Sequence, residues 1–99
     1  MSPSSRPLPR PFSYHWGSGQ IVEEAAYTGR YHEPVIQFLE YEEGEAAGRW
    51  SIRFCYYSLD GRFQRSPLVI DQDELDGLRA ALAQAPRLRA LLKRLLEEA

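Results

Sequence analysis

The chain has 99 residues, of which 43% are apolar and 26% charged, and a formal net charge of −2. These values are typical of one water-soluble domain and exclude a large multidomain enzyme. The sequence contains neither the run of about 18 apolar residues that a membrane-spanning helix needs nor the apolar segment of a signal peptide. The single cysteine, Cys55, excludes an internal disulfide and a cysteine-based metal site. We therefore expect a cytoplasmic protein.

Residues 1–15 are predicted to form a disordered tail. Four prolines fall within residues 1–13, together with Arg6 and Arg10. Proline removes a backbone donor and fixes φ, which keeps such a segment out of the interior of a sheet. A single α+β domain is then expected over residues 16–99.

Four segments with strand character follow the tail, over residues 20–28, 34–42, 49–58 and 62–70. The third segment, RWSIRFCYYS, is rich in aromatic and β-branched residues, which suit a half-buried pleated surface. Asp60-Gly61 lies between the third and fourth segments and indicates a tight antiparallel hairpin. The first segment has an alternative, since Glu23-Glu24-Ala25-Ala26 is also compatible with the start of a short helix.

A helix is predicted after the last strand. Asp71 and Glu74 have the spacing of a capping box, and leucines at 75, 78 and 82 share one face at helical spacing. Pro86 is expected to kink or break this helix. The sequence thus predicts a twisted four-stranded antiparallel sheet followed by a helix that is interrupted at Pro86.

Alternation along the third segment divides its side chains between two faces. Four apolar side chains point one way and are predicted to form the core beneath the helix: Trp50, Ile52, Phe54 and Tyr56. Arg53 and Tyr57 point the other way, onto an exposed face that Arg62 and Gln64 share through the hairpin. The phase of the second segment is open, because a slip of one residue exchanges its faces. A six-residue loop over 43–48 would bring Phe38 to the Arg53 side.

An exposed sheet face that carries rings and guanidinium groups suits single-stranded nucleic acid. Bases stack on aromatic side chains for about 1–3 kcal/mol each, and arginines contact the phosphates. We therefore predict non-enzymatic binding of single-stranded nucleic acid, with Tyr57 and Phe38 stacking and with Arg53, Arg62 and Gln64 making polar contacts. A solvated surface and a dimer interface are the alternative interpretations of this face.

The stretch IRFCYY at residues 52–57, the Asp60-Gly61 turn and LVID at 68–71 before a capped helix resemble a known family. They are similar to the carboxyl-terminal half of the positive-cofactor-four type of transcriptional coactivator, whose building plan the Whirly proteins share. The resemblance covers residues 50–80. It implies a curved four-stranded sheet with one helix, a dimer, and binding of single-stranded or melted DNA.

By this resemblance, Arg53 matches the arginine of the family's strand, Tyr57 matches an aromatic residue beside it, and Arg65 matches a basic residue before the last strand. Strand parity alone places Arg65 on the opposite side of the sheet, unless a bulge at Ser66-Pro67 turns it.

The segment after Pro86 carries a second leucine stripe, which is hard to cover within a domain of this size. Leu88, Leu91, Leu92 and Leu95 are predicted to form a homodimer or partner interface, and a symmetric dimer is the commonest oligomer. The alternative function is a protein-interaction module that uses this helix or the sheet face. Its support is the charge of residues 16–70, which contain eight acidic and five basic residues.

The sequence shows no phosphate-binding glycine loop, catalytic serine elbow or metal-ligand spacing. We expect no catalytic activity, cofactor, metal, small-molecule substrate or membrane partner. His32-Glu33 is interpreted as a surface turn, Cys55 as a packing residue on the Arg53 side, and the glutamates over 40–45 as an acidic hairpin. The respective alternatives are a base with its carboxylate, a thiol activated by Arg53, and a cation site.

Overall fold

The computed structural model describes residues 6–64 and 67–97. It contains β1 (Arg10–Tyr14), β2 (Gly17–Ala26), β3 (Glu33–Glu43), β4 (Trp50–Tyr57), β5 (Leu68–Asp71), a 3-10 turn at Gln72–Glu74, and helices α1 (Leu75–Leu82) and α2 (Pro86–Leu96). The strands form one antiparallel sheet in the order β1-β2-β3-β4-β5. The predicted α+β class is confirmed, with five strands in place of the expected four.

The additional strand, β1, lies inside the segment that the sequence predicts to be a disordered tail. That prediction is wrong for residues 10–14, which pair with β2 from Arg10–Ile21 to Tyr14–Gly17. β1 is an edge strand, so Pro11 can occupy it although it has no N–H group. Burial of Phe12 opposite Gly19 fixes the strand on the core. Residues 1–5 of the predicted tail lie outside the described residues.

The remaining strands follow the predicted segments with shifted ends. β2 continues through residues 23–26, so the alternative of a short helix is wrong there. The fourth segment is a strand only over Leu68–Asp71, and Phe63 ahead of it makes one isolated bridge to Tyr57. Gly61 lies in the predicted turn with a φ of 91°, and its N–H donates to the Ser58 carbonyl at 2.9 Å.

A close approach between β2 and β3 requires a glycine at position 19. A Cβ atom at Gly19 would lie 1.9 Å from the carbonyl oxygen of Glu40. The register shifts between Ser18 and Gly19 and again between Ile21 and Glu23. Such bulges increase the local twist of a sheet, and β2 accordingly carries β1 away from the plane of β3.

The sheet is curved enough for β1 to contact β4, although β2 and β3 lie between them. The Arg53 Nη1 atom donates to the Tyr14 hydroxyl at 3.0 Å, and the Arg10 Nη2 atom lies 3.4 Å from the Tyr57 hydroxyl. In a flat sheet these strands would be about 14 Å apart, because neighbouring strands are spaced by about 4.8 Å. The curved sheet therefore encloses one of its own faces, which we call the inner face.

The inner face holds the core, and this reverses the predicted assignment of β4. Its apolar core comprises Phe12, Ile21, Val35, Leu39, Tyr41 and Tyr57, and the buried polar residues Glu33, Gln37, Ser51 and Arg53 lie among them. The register places Ile52 opposite Ile70, and Phe54 opposite Leu68, on the other side, which we call the outer face. Among the described residues, Ile70 is the buried apolar residue of that face. Trp50, Ile52, Phe54 and Tyr56 are thus not the core, because none of them is buried.

The helices lie where the sequence predicts them, but they do not pack on the core as predicted. Glu74 Oε1 accepts from the Asp71 N–H at 2.9 Å, and the helix is interrupted ahead of Pro86, which opens α2. Neither α1 nor α2 contains a buried residue. The expectation that leucines 75, 78 and 82 cover the core is wrong, because α1 only borders the outer side of β5, with Leu78 beside Leu68 and Ile70.

Candidate nucleic-acid interface

The two residues at the centre of the predicted nucleic-acid face are enclosed by the protein. Arg53 and Tyr57 are each only 6% exposed. The guanidinium of Arg53 lies 4.7 Å from the centre of the Phe63 ring and also bonds Tyr14 of β1. The predicted exposure of both residues is wrong, because the curvature of the sheet and the presence of β1 place them inside.

Gln37 of β3 connects the polar groups of the inner face and is 1% exposed. Its Oε1 atom accepts from Arg53 Nε at 2.7 Å. Its Nε2 atom donates to Glu24 Oε2 at 2.7 Å and to the Tyr57 hydroxyl at 3.2 Å. The Gln37 amide therefore fixes the positions of the Arg53 guanidinium, the Glu24 carboxylate and the Tyr57 hydroxyl. This role stabilises the fold.

Glu24 completes this network through β1. Arg10 Nη2 donates to Glu24 Oε2 at 2.7 Å, and the Glu24 side chain has no exposed surface. Burial raises the pKa of Glu24, but hydrogen bonds from Arg10 and Gln37 and the charge of Arg10 outweigh burial, so the pKa lies below its ordinary value. Glu24 is thus a charged, fully paired group of the protein interior.

Phe38 lies on the outer face, away from Arg53. Glu40, not Tyr41, pairs with Trp50, which fixes the phase that the sequence leaves open. The Phe38 ring is 5.8 Å from that of Trp50. The proposed placement of Phe38 beside Arg53 is therefore wrong, although its ring is half-buried on an open surface.

The exposed aromatic and basic side chains collect at one end of the sheet, where β2 ends, β3 begins and β4 ends. We call this region the aromatic–arginine end; it comprises Tyr27, Arg30, Tyr31, His32, Tyr56, Arg62 and Phe63. Tyr31 is 77% and Tyr56 45% exposed, and the centre of the His32 ring lies 4.9 Å from that of Tyr56, with the two rings tilted by 58°. Of the predicted site residues, Arg62 belongs to this end, and Gln64 adjoins it, since its N–H donates to the Tyr56 carbonyl at 3.1 Å. Arg65 lies outside the described residues.

Two exposed arginines, Arg30 and Arg62, lie at this end. Arg62 forms an ion pair with Asp60 at 3.5 Å, and both side chains are largely exposed, so the pair contributes little to stability. Arg30 is exposed and lies 6.0 Å from the Tyr31 ring. Glu33 is neutralised by Arg6 at 3.1 Å. The opposite end of the sheet instead exposes four glutamates: Glu40, Glu42, Glu43 and Glu45.

Two apolar surfaces have no cover within the described residues. The first is the outer face of β3 and β4 together with Leu68 of β5, where Phe54 and Leu68 are exposed, whereas Ile70 is buried beside α1. The second, which we call the helix stripe, is the predicted interface on α2: Leu88, Leu91, Leu92 and Leu95. Three of these leucines are more than half exposed, and Leu95 reaches 65%. Both surfaces therefore expose apolar side chains to solvent within the described residues.

The alternative chemical sites from the sequence receive no geometric support in the described parts of the chain. Cys55 lies on the Arg53 side as predicted, and burial raises the pKa of its thiol despite the nearby charge of Arg53. The alternative of a thiol activated by Arg53 therefore receives no support. Within residues 6–64 and 67–97, no cluster of three or more His, Cys, Asp or Glu side chains could hold a metal ion. Among the described helices, none is long and apolar enough to cross a membrane.

Comparison with known proteins adds no relative to these observations. No protein-family model matches the chain, and neither the curated proteins nor the solved structures contain a significant match.

Proposed function

We propose that this protein binds single-stranded nucleic acid through the aromatic–arginine end. The observation that supports the proposal is the exposed stacking surface of Tyr31, His32 and Tyr56 beside the exposed Arg30 and Arg62. Single strands present unpaired bases that stack on such rings, and their phosphates attract arginine. A duplex hides its base faces, so these rings offer it nothing to stack on. The resemblance of residues 50–80 to single-strand-binding coactivators implies the same class of ligand, although its matched residues Arg53 and Tyr57 are enclosed.

The first test is fluorescence anisotropy of a labelled single-stranded oligonucleotide, with a duplex of the same sequence as control. Tyr56→Ala is expected to weaken binding by about 1–3 kcal/mol, because one stacking surface is lost. Arg62→Ala is expected to weaken binding and to reduce the slope of log affinity against log salt concentration by about 1.

Arg87→Ala is the matched control, because it removes one exposed arginine from α2, outside the proposed interface. It is expected to leave single-strand affinity unchanged to within about twofold. Equal losses in Arg62→Ala and Arg87→Ala would show that binding depends only on net charge. That result, or the absence of single-strand binding at low salt, contradicts the proposal.

A second function, self-association, is favoured by the two uncovered apolar surfaces. We propose that the helix stripe of one copy packs on the outer face of a second copy. Apolar side chains occupy both surfaces, and neither α1 nor α2 buries a residue on its own chain. In a symmetric pair each copy both provides and receives a helix, so both surfaces are covered at once.

Charge supports a second copy as the partner. The helical region over 75–96 carries five basic side chains against the single acid Asp76, and all five are exposed: Arg79, Arg87, Arg89, Lys93 and Arg94. Strand β3 and the loop after it expose glutamates at 40, 42, 43 and 45. Helices of one copy and the sheet of another are therefore complementary in charge as well as in hydrophobicity.

Sedimentation of the full chain tests this proposal, which predicts the mass of two chains. Leu91→Glu with Leu95→Glu is expected to weaken self-association at least about 100-fold, because two carboxylates would be buried in an apolar contact. Both leucines are exposed within one chain, so the fold of the monomer is expected to persist. Ala90→Glu adds a charge to the other side of α2 and serves as the control. A single-chain mass for the unmodified protein contradicts the proposal.

A further inference from the structure

A guanidinium group of the chain's own amino-terminal segment occupies a defined pocket on the inner face. The Arg6 guanidinium carbon lies 3.9 Å from the centre of the Tyr57 ring. Its Nη2 atom lies 3.1 Å from Glu33 Oε2. Glu33 and Tyr57 are 7% and 6% exposed, so an acid and a ring face are presented to one cation in a largely dry site. Neither proposed function uses this pocket.

The segment that carries Arg6 is attached mainly by side chains. Residues 6–9 precede the β-ladder, whose pairing with β2 begins at Arg10. Pro7 and Pro9 have no N–H group to donate, and residues 7–9 are exposed. Arg10 Nη1 reaches the carbonyls of Arg6 and Pro7 only at 3.4 Å. Residues 6–9 therefore lie against the sheet, as a bound peptide would, and do not pair with it as a strand.

Arg6 also leaves one hydrogen bond unmade. Its Nε atom is buried and has no partner within the described structure. An unpaired buried donor raises the free energy of the state in which Arg6 occupies the pocket. Arg6 is therefore held less firmly than its ion pair with Glu33 and its contact with the Tyr57 ring suggest. Arg6 is held by Glu33 and Tyr57, but its Nε atom has no acceptor among the described residues. Such a guanidinium is suited to replacement by another one.

We propose that Glu33 and Tyr57 form a binding site for the arginine of an extended Arg-Pro segment from another polypeptide, and that Arg6 closes this site as an internal competitor. The site recognises a guanidinium by charge on Glu33 and by stacking on Tyr57. The tethered Arg6 competes at an effective concentration in the millimolar range. Exchange requires release of residues 6–9 only, so β1 keeps its place in the sheet.

The test uses the full chain and a fluorescent peptide with the sequence of residues 2–9, SPSSRPLP. The Arg6→Ala protein, whose pocket has lost its occupant, is expected to bind this peptide at least about tenfold more tightly than the unmodified protein. A peptide with citrulline in place of arginine keeps the shape but not the charge, and its binding to the Arg6→Ala protein is expected to fall at least about tenfold.

Glu33→Gln in the Arg6→Ala background is expected to abolish peptide binding, and circular dichroism checks that this variant is folded. The comparison of the arginine and citrulline peptides leaves Glu33 and Tyr57 unchanged. It therefore still tests the proposal if the Glu33→Gln variant does not fold. Equal peptide affinity of the unmodified and Arg6→Ala proteins, or equal affinity for the arginine and citrulline peptides, would overturn the proposal. These results are independent of nucleic-acid binding and of self-association, which use other surfaces.

Discussion

Gln37→Met is expected to lower the free energy of unfolding by about 3–5 kcal/mol. Methionine has nearly the volume of glutamine, so packing is preserved while both amide groups are lost. Arg53 then loses its acceptor at 2.7 Å, and Glu24 loses a donor at the same distance. Removing a partner from a buried charge leaves a desolvated group uncompensated, which is among the most destabilising of single changes.

Gln20→Met provides the control for this prediction, because Gln20 lies on β2 with its side chain only partly buried and 3.5 Å from Glu42. Its loss is expected to stay within about 0.5 kcal/mol. Urea unfolding followed by circular dichroism measures both variants. If Gln37→Met costs no more than Gln20→Met, the polar groups of the inner face do not depend on one another, and the network described above is not a unit.

Local features of the sequence were sufficient to predict much of the architecture. The Asp60-Gly61 turn, the capping pair Asp71 and Glu74, and the break at Pro86 all depend on residues close together in the chain. Each was found where local chemistry placed it. The sequence does not predict strand β1, because the four prolines within residues 1–13 favour a disordered tail. Phe12, Tyr14 and Trp16 nonetheless alternate with the period of a strand, and Tyr14 and Trp16 stack at 4.5 Å.

The reversal of the sheet faces could not be predicted from β4 alone. The strand carries rings on both sides, and the usual rule assigns the more apolar side to the core. The outcome depends on β1, which curls over the side of Arg53 and brings Arg10 to Glu24. These contacts join residues separated by 14 to 39 positions, and no local pattern reveals them. The consequence is a core in which polar side chains lie among apolar ones.

The candidate interface was missed for a related reason. Tyr27, Arg30 and Tyr31 lie in the connection between β2 and β3, which the sequence presents only as a turn. Their significance arises when the antiparallel pairing of β3 with β4 brings Tyr56 opposite Pro34 at the same end of the sheet. Arg62 was identified from its place after the hairpin, and the structure places it at this end with a largely exposed side chain.

Glu24→Gln is expected to lower the free energy of unfolding by about 2 kcal/mol at neutral pH, because charge-assisted hydrogen bonds from Arg10 and Gln37 become neutral or are lost. The size of the effect should depend on pH. The pKa of Glu24 in the folded protein lies below its ordinary value of 4.5, so the unfolded chain binds the proton more readily. The stability contributed by this group is therefore complete above about pH 4.5 and is lost as the pH falls through the folded-state pKa.

Urea midpoints measured between about pH 7 and about pH 3 test this dependence. The unmodified protein should lose stability toward acid more steeply than Glu24→Gln, so the two curves should converge at low pH. Glu40→Gln, which alters an exposed glutamate of the outer face, should follow the unmodified protein. Parallel curves for the unmodified protein and Glu24→Gln would show that the charge of Glu24 does not stabilise the fold. Attachment of β1 would then depend on Phe12 and its apolar contacts instead of on the Arg10–Glu24 pair.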